Sequence, residues 1–180
     1  MTGDGARSAS SRRWWLWLVL SAAIVAADQA TKGLVLSTLR PGEERTLTDF
    51  FSLVLAFNSG AAFSFLGDAA GWQRYLFGVI AIGAACLIVW LLRRGGGRLY
   101  CTGLSLILGG ALGNLCDRIM LGKVVDFLSL HHFMPFRHSL VAWLDPFPAF
   151  NIADSAITVG AALLILDGFR RRPEPPGALK

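Results

Sequence analysis

The chain has 180 residues, a length that suits one domain; 54% of them are apolar and only 16% are charged. A water-facing domain carries about 25% charged residues, so most of this surface faces something other than water. The net charge of +5 does not point to nucleic acid, because the basic residues stand in short clusters between long apolar runs, the pattern of membrane topology.

In chain order, Arg12 and Arg13 precede an apolar, tryptophan-rich run over 14–27. A spanning helix needs roughly 20 mainly apolar residues to cross about 30 Å of hydrocarbon. This run attains that length only by including Asp28 and Lys32, which sets the first span at about 14–33. Its small-residue end, Val25-Ala26-Ala27, looks like the cleavage site of a secretory signal. The bulk of the apolar stretch and the helical continuation through Asp28-Gln29-Ala30-Thr31-Lys32 favour an uncleaved span.

Residues 51–65 alternate poorly but are rich in apolar and small side chains. The second span is predicted at about 73–92, with no charge over 75–92, and the third at about 99–118, with none over 99–116. Gly109, Gly110 and Gly113 on the third span allow a neighbouring helix to approach closely. Val124-Val125-Asp126-Phe127 reads as a short strand or loop, and a fourth span at about 150–168 carries Asp154 near its start. The Pro-containing tail over 173–180 is expected to be disordered. The expected fold class is an all-α integral membrane protein, a single domain of four transmembrane helices over 1–180 with no internal repeat.

Orientation follows from where arginine collects. Arg12 and Arg13, then Arg93, Arg94 and Arg98 between spans two and three, then Arg170, Arg171 and Arg172 all fall on one side. The positive-inside rule makes that side cytoplasmic, with both termini inside and two longer loops, about 37–71 and 117–149, outside.

An ionisable group deep in a span costs about 2.5 kcal/mol or more, so its presence asks for a reason. Asp28, Thr31 and Lys32 stand at i, i+3 and i+4 near the end of span one, and Asn114, Asp117 and Arg118 repeat that spacing at the end of span three. Asn151 and Asp154 are three apart at the start of span four. The topology puts all three sets, and Asp126 with them, at the outer end of the bundle, although only arginines were used to orient it. Taken singly, each set reads as a structural ion pair capping a helix end; taken together at one depth they read as a site.

Other chemistries lack their residues. Cys86, Cys101 and Cys116 lie in apolar stretches without metal-ligand spacing and read as packing residues. His131, His132 and His138 share one loop with no HExxH or CxxC pattern, so neither a metal nor an organic cofactor is implied. No Gly-x-Ser-x-Gly elbow or phosphate-cradling loop occurs. Carboxylates remain. Two that lie close together cannot both ionise easily, so one keeps a proton while the other acts as base, and such a pair can set water on an amide carbonyl. Two other classes stay open at this point. A small ion-coupled carrier would bind ions with the same acids, but carriers often show internal repeats and midplane sites. A scaffold would use the polar groups only to hold helices together.

Asp28-Gln29-Ala30-Thr31-Lys32, Asn58-Ser59-Gly60-Ala61-Ala62-Phe63-Ser64 and Gly109-Gly110-Ala111-Leu112-Gly113-Asn114 resemble motifs of the bacterial lipoprotein signal peptidases, the signal peptidase II family of aspartyl peptidases. So do Asp117-Arg118, Val124-Val125-Asp126-Phe127 and Phe150-Asn151-Ile152-Ala153-Asp154-Ser155. The resemblance implies an endopeptidase of the bacterial inner membrane that cuts prolipoproteins before a diacylglyceryl-modified cysteine, with Asp126 and Asp154 as the catalytic dyad near the outer leaflet. It implies that Asn114, Arg118 and Asn151 line the site, that Asn58 contacts substrate backbone, and that Asp28 orders the site. Asp117 and Gly110 are expected in structural roles; Lys32 either pairs with Asp28 or meets lipid phosphate. The expected partners are membrane lipid, lipidated substrate and, upstream, the enzyme that attaches the lipid, with nothing demanding more than a monomer. The resemblance also implies a small extracytoplasmic sheet from 51–65 and a lid at about 66–72. The stretch between Asp126 and Asp154 is longer than the family pattern, with aromatics such as Phe133, Phe136 and Trp143 expected at headgroup level.

Overall fold

The structure, a computed structural model, describes residues 14–59, 72–131 and 147–170. Most of the expected lid and of the Asn58–Ser64 motif, the aromatic stretch 132–146 and the tail lie outside the described residues. In chain order the elements are α1 (Trp15–Thr38), β1 (Glu44–Thr48), β2 (Phe51–Asn58), α2 (Gln73–Arg94), α3 (Arg98–Met120), β3 (Val124–Leu130), β4 (Phe147–Phe150) and α4 (Ile152–Arg170).

All four helices are long and apolar enough to cross a membrane. Large apolar side chains stand bare on their outer faces, among them Val79 on α2, Ile119 on α3 and Phe169 on α4. In water that exposure would be costly; against lipid tails it costs nothing, and the chain is a multi-pass membrane protein.

Helix α3 is the centre of the bundle, with 56% of its apolar window buried against 11–22% for the other three. Composition explains this. Among lipid tails there is little hydrophobic drive to bring helices together, so close backbone approach and interhelical hydrogen bonds decide which faces meet. Gly103 of α3 and Gly160 of α4 lie against each other's carbonyl oxygens, and a Cβ on Gly109 would stand 2.8 Å from the Ser21 carbonyl oxygen of α1. The Ser21 hydroxyl donates across the same contact to the Ser105 carbonyl at 2.9 Å.

Outside the bundle lies an antiparallel sheet of order β1-β2-β3-β4. Pairing of β2 with β3 sets Ala56 opposite Asp126 and Asn58 opposite Val124. Helix α1 continues to Thr38 rather than stopping near residue 33, because its last turns pack beneath this sheet. Val35 and Leu39 join Leu55, Val125 and Phe127 in one buried cluster. The turns into β1 and β3 use Gly42 and Gly122 at positive φ, where a side chain would be strained. Phe150 belongs to β4, and α4 starts two residues later, at Ile152, with Asn151 between them.

Candidate active site

The polar groups of α1, α3, β3 and α4 meet where the sheet joins the bundle. Asp126 is carried by β3 and is 2% exposed; Asp154 stands in the first turn of α4 and is half-buried. Asn151 joins them. Its side-chain Oδ1 accepts the Asp154 N–H at 2.9 Å, and Asp154 Oδ2 accepts the Asn151 N–H at 3.3 Å. This reciprocal pair satisfies two amide donors that the helix start would leave unpaired. The Asn151 Nδ2 then reaches across to Asp126 Oδ1 at 2.8 Å. A single buried residue thus holds both carboxylates.

Further donors converge on the two acids. Asn114 Nδ2 donates to Asp154 Oδ1 at 2.7 Å. The Asn58 side chain hydrogen-bonds Asp126 from β2, the strand paired with β3. Burial and the neighbouring Asp154 charge push the Asp126 carboxyl up to about 6, while the hydrogen bonds from Asn58 and Asn151 and the Lys32 charge pull the other way. Arg118 donates to the Asn114 carbonyl at 3.1 Å and lies over the Phe77 ring at 5.2 Å.

Behind this layer lies a buried ion triad. Lys32 Nζ is 2.8 Å from Asp28 Oδ2 and 2.8 Å from Asp117 Oδ2, with all three side chains almost fully enclosed. Of the two alternatives for Lys32, the structure shows the pair with Asp28, with the ammonium enclosed. Asp117 takes Lys32 as its salt-bridge partner, not the adjacent Arg118. Gln29, quoted in the first motif but given no role, bridges the acids by donating to Asp117 Oδ1 at 2.7 Å and to Asp28 Oδ2 at 3.3 Å. Its position one residue after Asp28 gave no helical-face signal, since adjacent residues point apart. Gly110 and Gly113 let this crowding happen: a Cβ on Gly110 would meet the Ala153 carbonyl, and one on Gly113 would stand 2.7 Å from Asp28 Oδ2.

Two apolar hollows flank the layer. One, of about 590 Å³, has Asp154 in its wall together with Leu130, Phe147, Phe150, Thr158 and Val159. The other, of about 450 Å³, runs between α2 and α3 and ends at Arg118.

Residues 20–170 match the family model described as signal peptidase (SPase) II. The chain belongs to the signal peptidase II family. It is 51% identical over 156 residues to a lipoprotein signal peptidase of Burkholderia vietnamiensis, covering 86% of this chain and 88% of that one. To the lipoprotein signal peptidase of Ralstonia nicotianae it is 49% identical over 168 residues, covering 93% and 91%. A solved bacterial membrane enzyme superposes with a TM-score of 0.73 at 27% identity, covering 92% of this chain and 94% of that chain. Signal peptidase II membership makes the chain a lipoprotein-processing hydrolase of the membrane and sets aside the carrier and scaffold readings.

Proposed function

We propose that this signal peptidase II is an aspartyl endopeptidase that cleaves prolipoproteins just before the diacylglyceryl-modified cysteine, with Asp126 and Asp154 as its dyad. The observation that carries the assignment is Asn151, whose buried side chain and backbone hold the two carboxylates together at one edge of an apolar hollow. An acid raised to about 6 beside a second acid is the arrangement in which one proton is shared near neutral pH.

One carboxylate takes a proton from water as the water oxygen attacks the scissile carbonyl carbon, and the other carboxyl donates its proton to the carbonyl oxygen. Collapse of the resulting gem-diol breaks the C–N bond: one hydroxyl returns its proton to the ionised carboxyl as C=O re-forms, and the protonated carboxyl gives its proton to the leaving amine, which restores the singly protonated dyad. Two carboxyls and one water supply every group these steps need. The hollow beside Asp154 accepts apolar residues of the signal peptide, while Arg118 and Asn58 hold substrate backbone. The positive-inside rule puts the arginines joining α2 to α3, and both termini, in the cytoplasm, so the dyad lies near the outer leaflet of the inner membrane. A lipidated substrate then reaches it laterally.

The test is cleavage of a diacylglyceryl prolipoprotein by detergent-purified wild type, Asp126→Asn and Asp154→Asn, read by gel shift. Asparagine keeps size and polarity but neither takes the proton nor shares it, so both variants are expected to be folded and inactive. Near-normal cleavage by either one removes that residue from the dyad.

A further inference from the structure

We infer that Lys32 is a positioning residue for the reaction: its ammonium fixes both dyad carboxylates through three separate arms. The inference rests on the dyad proposed above. An ammonium has three N–H donors and no acceptor. Lys32 Nζ meets three acceptors, Asp28 Oδ2 at 2.8 Å, Asp117 Oδ2 at 2.8 Å and Asn114 Oδ1 at 3.0 Å, so its donors are all in use.

The first two arms are alike. Asp28 Oδ1 accepts the backbone N–H of Ala153 at 3.0 Å, and Asp117 Oδ2 accepts that of Val125 at 3.0 Å. Ala153 directly precedes Asp154, and Val125 directly precedes Asp126. One cation therefore anchors, through two carboxylates, the backbone N–H of the residue just before each dyad residue. Strand β3 and helix α4 are thereby held at a fixed separation from a single point on α1.

The third arm sets polarity. A side-chain amide is nearly symmetric in shape, so its surroundings decide which end faces which neighbour. Lys32 only donates, so the Asn114 oxygen must face it, which turns the Asn114 NH2 toward Asp154 Oδ1 at 2.7 Å. Asn151 Nδ2 also lies 3.1 Å from Asn114 Oδ1, but it is shared with Asp126 Oδ1 and the Val125 carbonyl and has two hydrogens for three acceptors. Without the ammonium nothing firmly keeps the Asn114 NH2 on Asp154 Oδ1, and only the Asn151 backbone N–H on Oδ2 remains.

Lys32→Met alone leaves two enclosed carboxylates unpaired and is expected to unfold. The informative variant is Lys32→Met with Asp28→Asn and Asp117→Asn. It removes all three charges, keeps the volumes, and leaves an amide oxygen to receive each backbone N–H. With the diacylglyceryl prolipoprotein as substrate, the triple variant is expected to melt close to wild type with KM within about threefold, while kcat falls by roughly 100-fold or more, as for an ångström-scale misplacement of reacting groups. A merely structural triad would leave kcat unchanged once folding is restored. A kcat within about threefold of wild type overturns the inference, and so does a triple variant that does not fold, since Lys32 would then serve stability alone. A wild type that leaves this substrate intact instead refutes the dyad reading beneath it.

Discussion

Asp126 sits where its charge is unwelcome, so replacing it with asparagine should stabilise the protein at neutral and alkaline pH, where the proposed dyad role has the same change abolish activity. Burial and the Asp154 charge raise the carboxyl from its ordinary 3.8 to about 6, so the folded protein binds this proton more tightly than the unfolded chain. Stability linked to Asp126 is therefore highest below 3.8, declines as pH rises through the interval, and is lost above 6. The difference corresponds to roughly 3 kcal/mol. Asparagine never ionises, so it escapes that loss, but it has one oxygen in place of two and forfeits about 1 kcal/mol if Asn58 or Asn151 loses its acceptor. The gain of Asp126→Asn over wild type should then be near zero or slightly negative at pH 4 and about 2 kcal/mol at pH 8. In a chain of this length that is a rise in Tm of roughly 4–8 °C. Thermal unfolding of both proteins in one detergent at the two pH values measures it. A difference that is the same at both pH values, or a variant less stable than wild type at pH 8, refutes the placement of an ionised Asp126 in a desolvated, negatively charged setting.

The glycines and the serine contact give two further tests. Gly110→Ala drives a methyl into the Ala153 carbonyl and toward Ile157, and should cost roughly 1–3 kcal/mol and slow cleavage, since α4 carries Asp154. Gly33→Ala, on the open side of α1, meets nothing within 4 Å and should stabilise by roughly 0.5–1 kcal/mol with activity intact; paired melting curves and cleavage assays compare the two. Ser21→Ala removes the hydroxyl that donates to Ser105 O between α1 and α3 and should lower stability by roughly 0.6 kcal/mol without changing kcat, a shift readable by thermal unfolding.

Much of this architecture is written in one dimension. A membrane span is dictated by length and hydropathy, both local sums, which is why four helices emerge from the chain without reference to one another. Acids and amides inside such spans are conspicuous because hydrocarbon makes them costly, so Asp28, Asn114, Asp117, Asn151 and Asp154 stand out before any fold is known. Strands β1 and β4 gave no such signal. The first is exposed along its whole length, so it has no apolar alternation, and the second is a four-residue edge strand containing Pro148.

Pairing is what only the tertiary structure decided. Helical spacing placed Asp117 beside Arg118 and left Lys32 with two possible partners; the fold gave Lys32 to both Asp28 and Asp117 and sent Arg118 to Phe77 and the Asn114 carbonyl. It enlisted Gln29, which spacing had passed over. It also carried α1 past the expected end of its span, so that Val35 and Leu39 could support the sheet that bears Asp126. Hydropathy and helical period are properties of neighbouring residues and survive in the bare sequence. Which carboxylate meets which cation depends on the angle and depth at which α1, α3 and α4 cross, and that is set by glycine contacts between residues far apart in the chain.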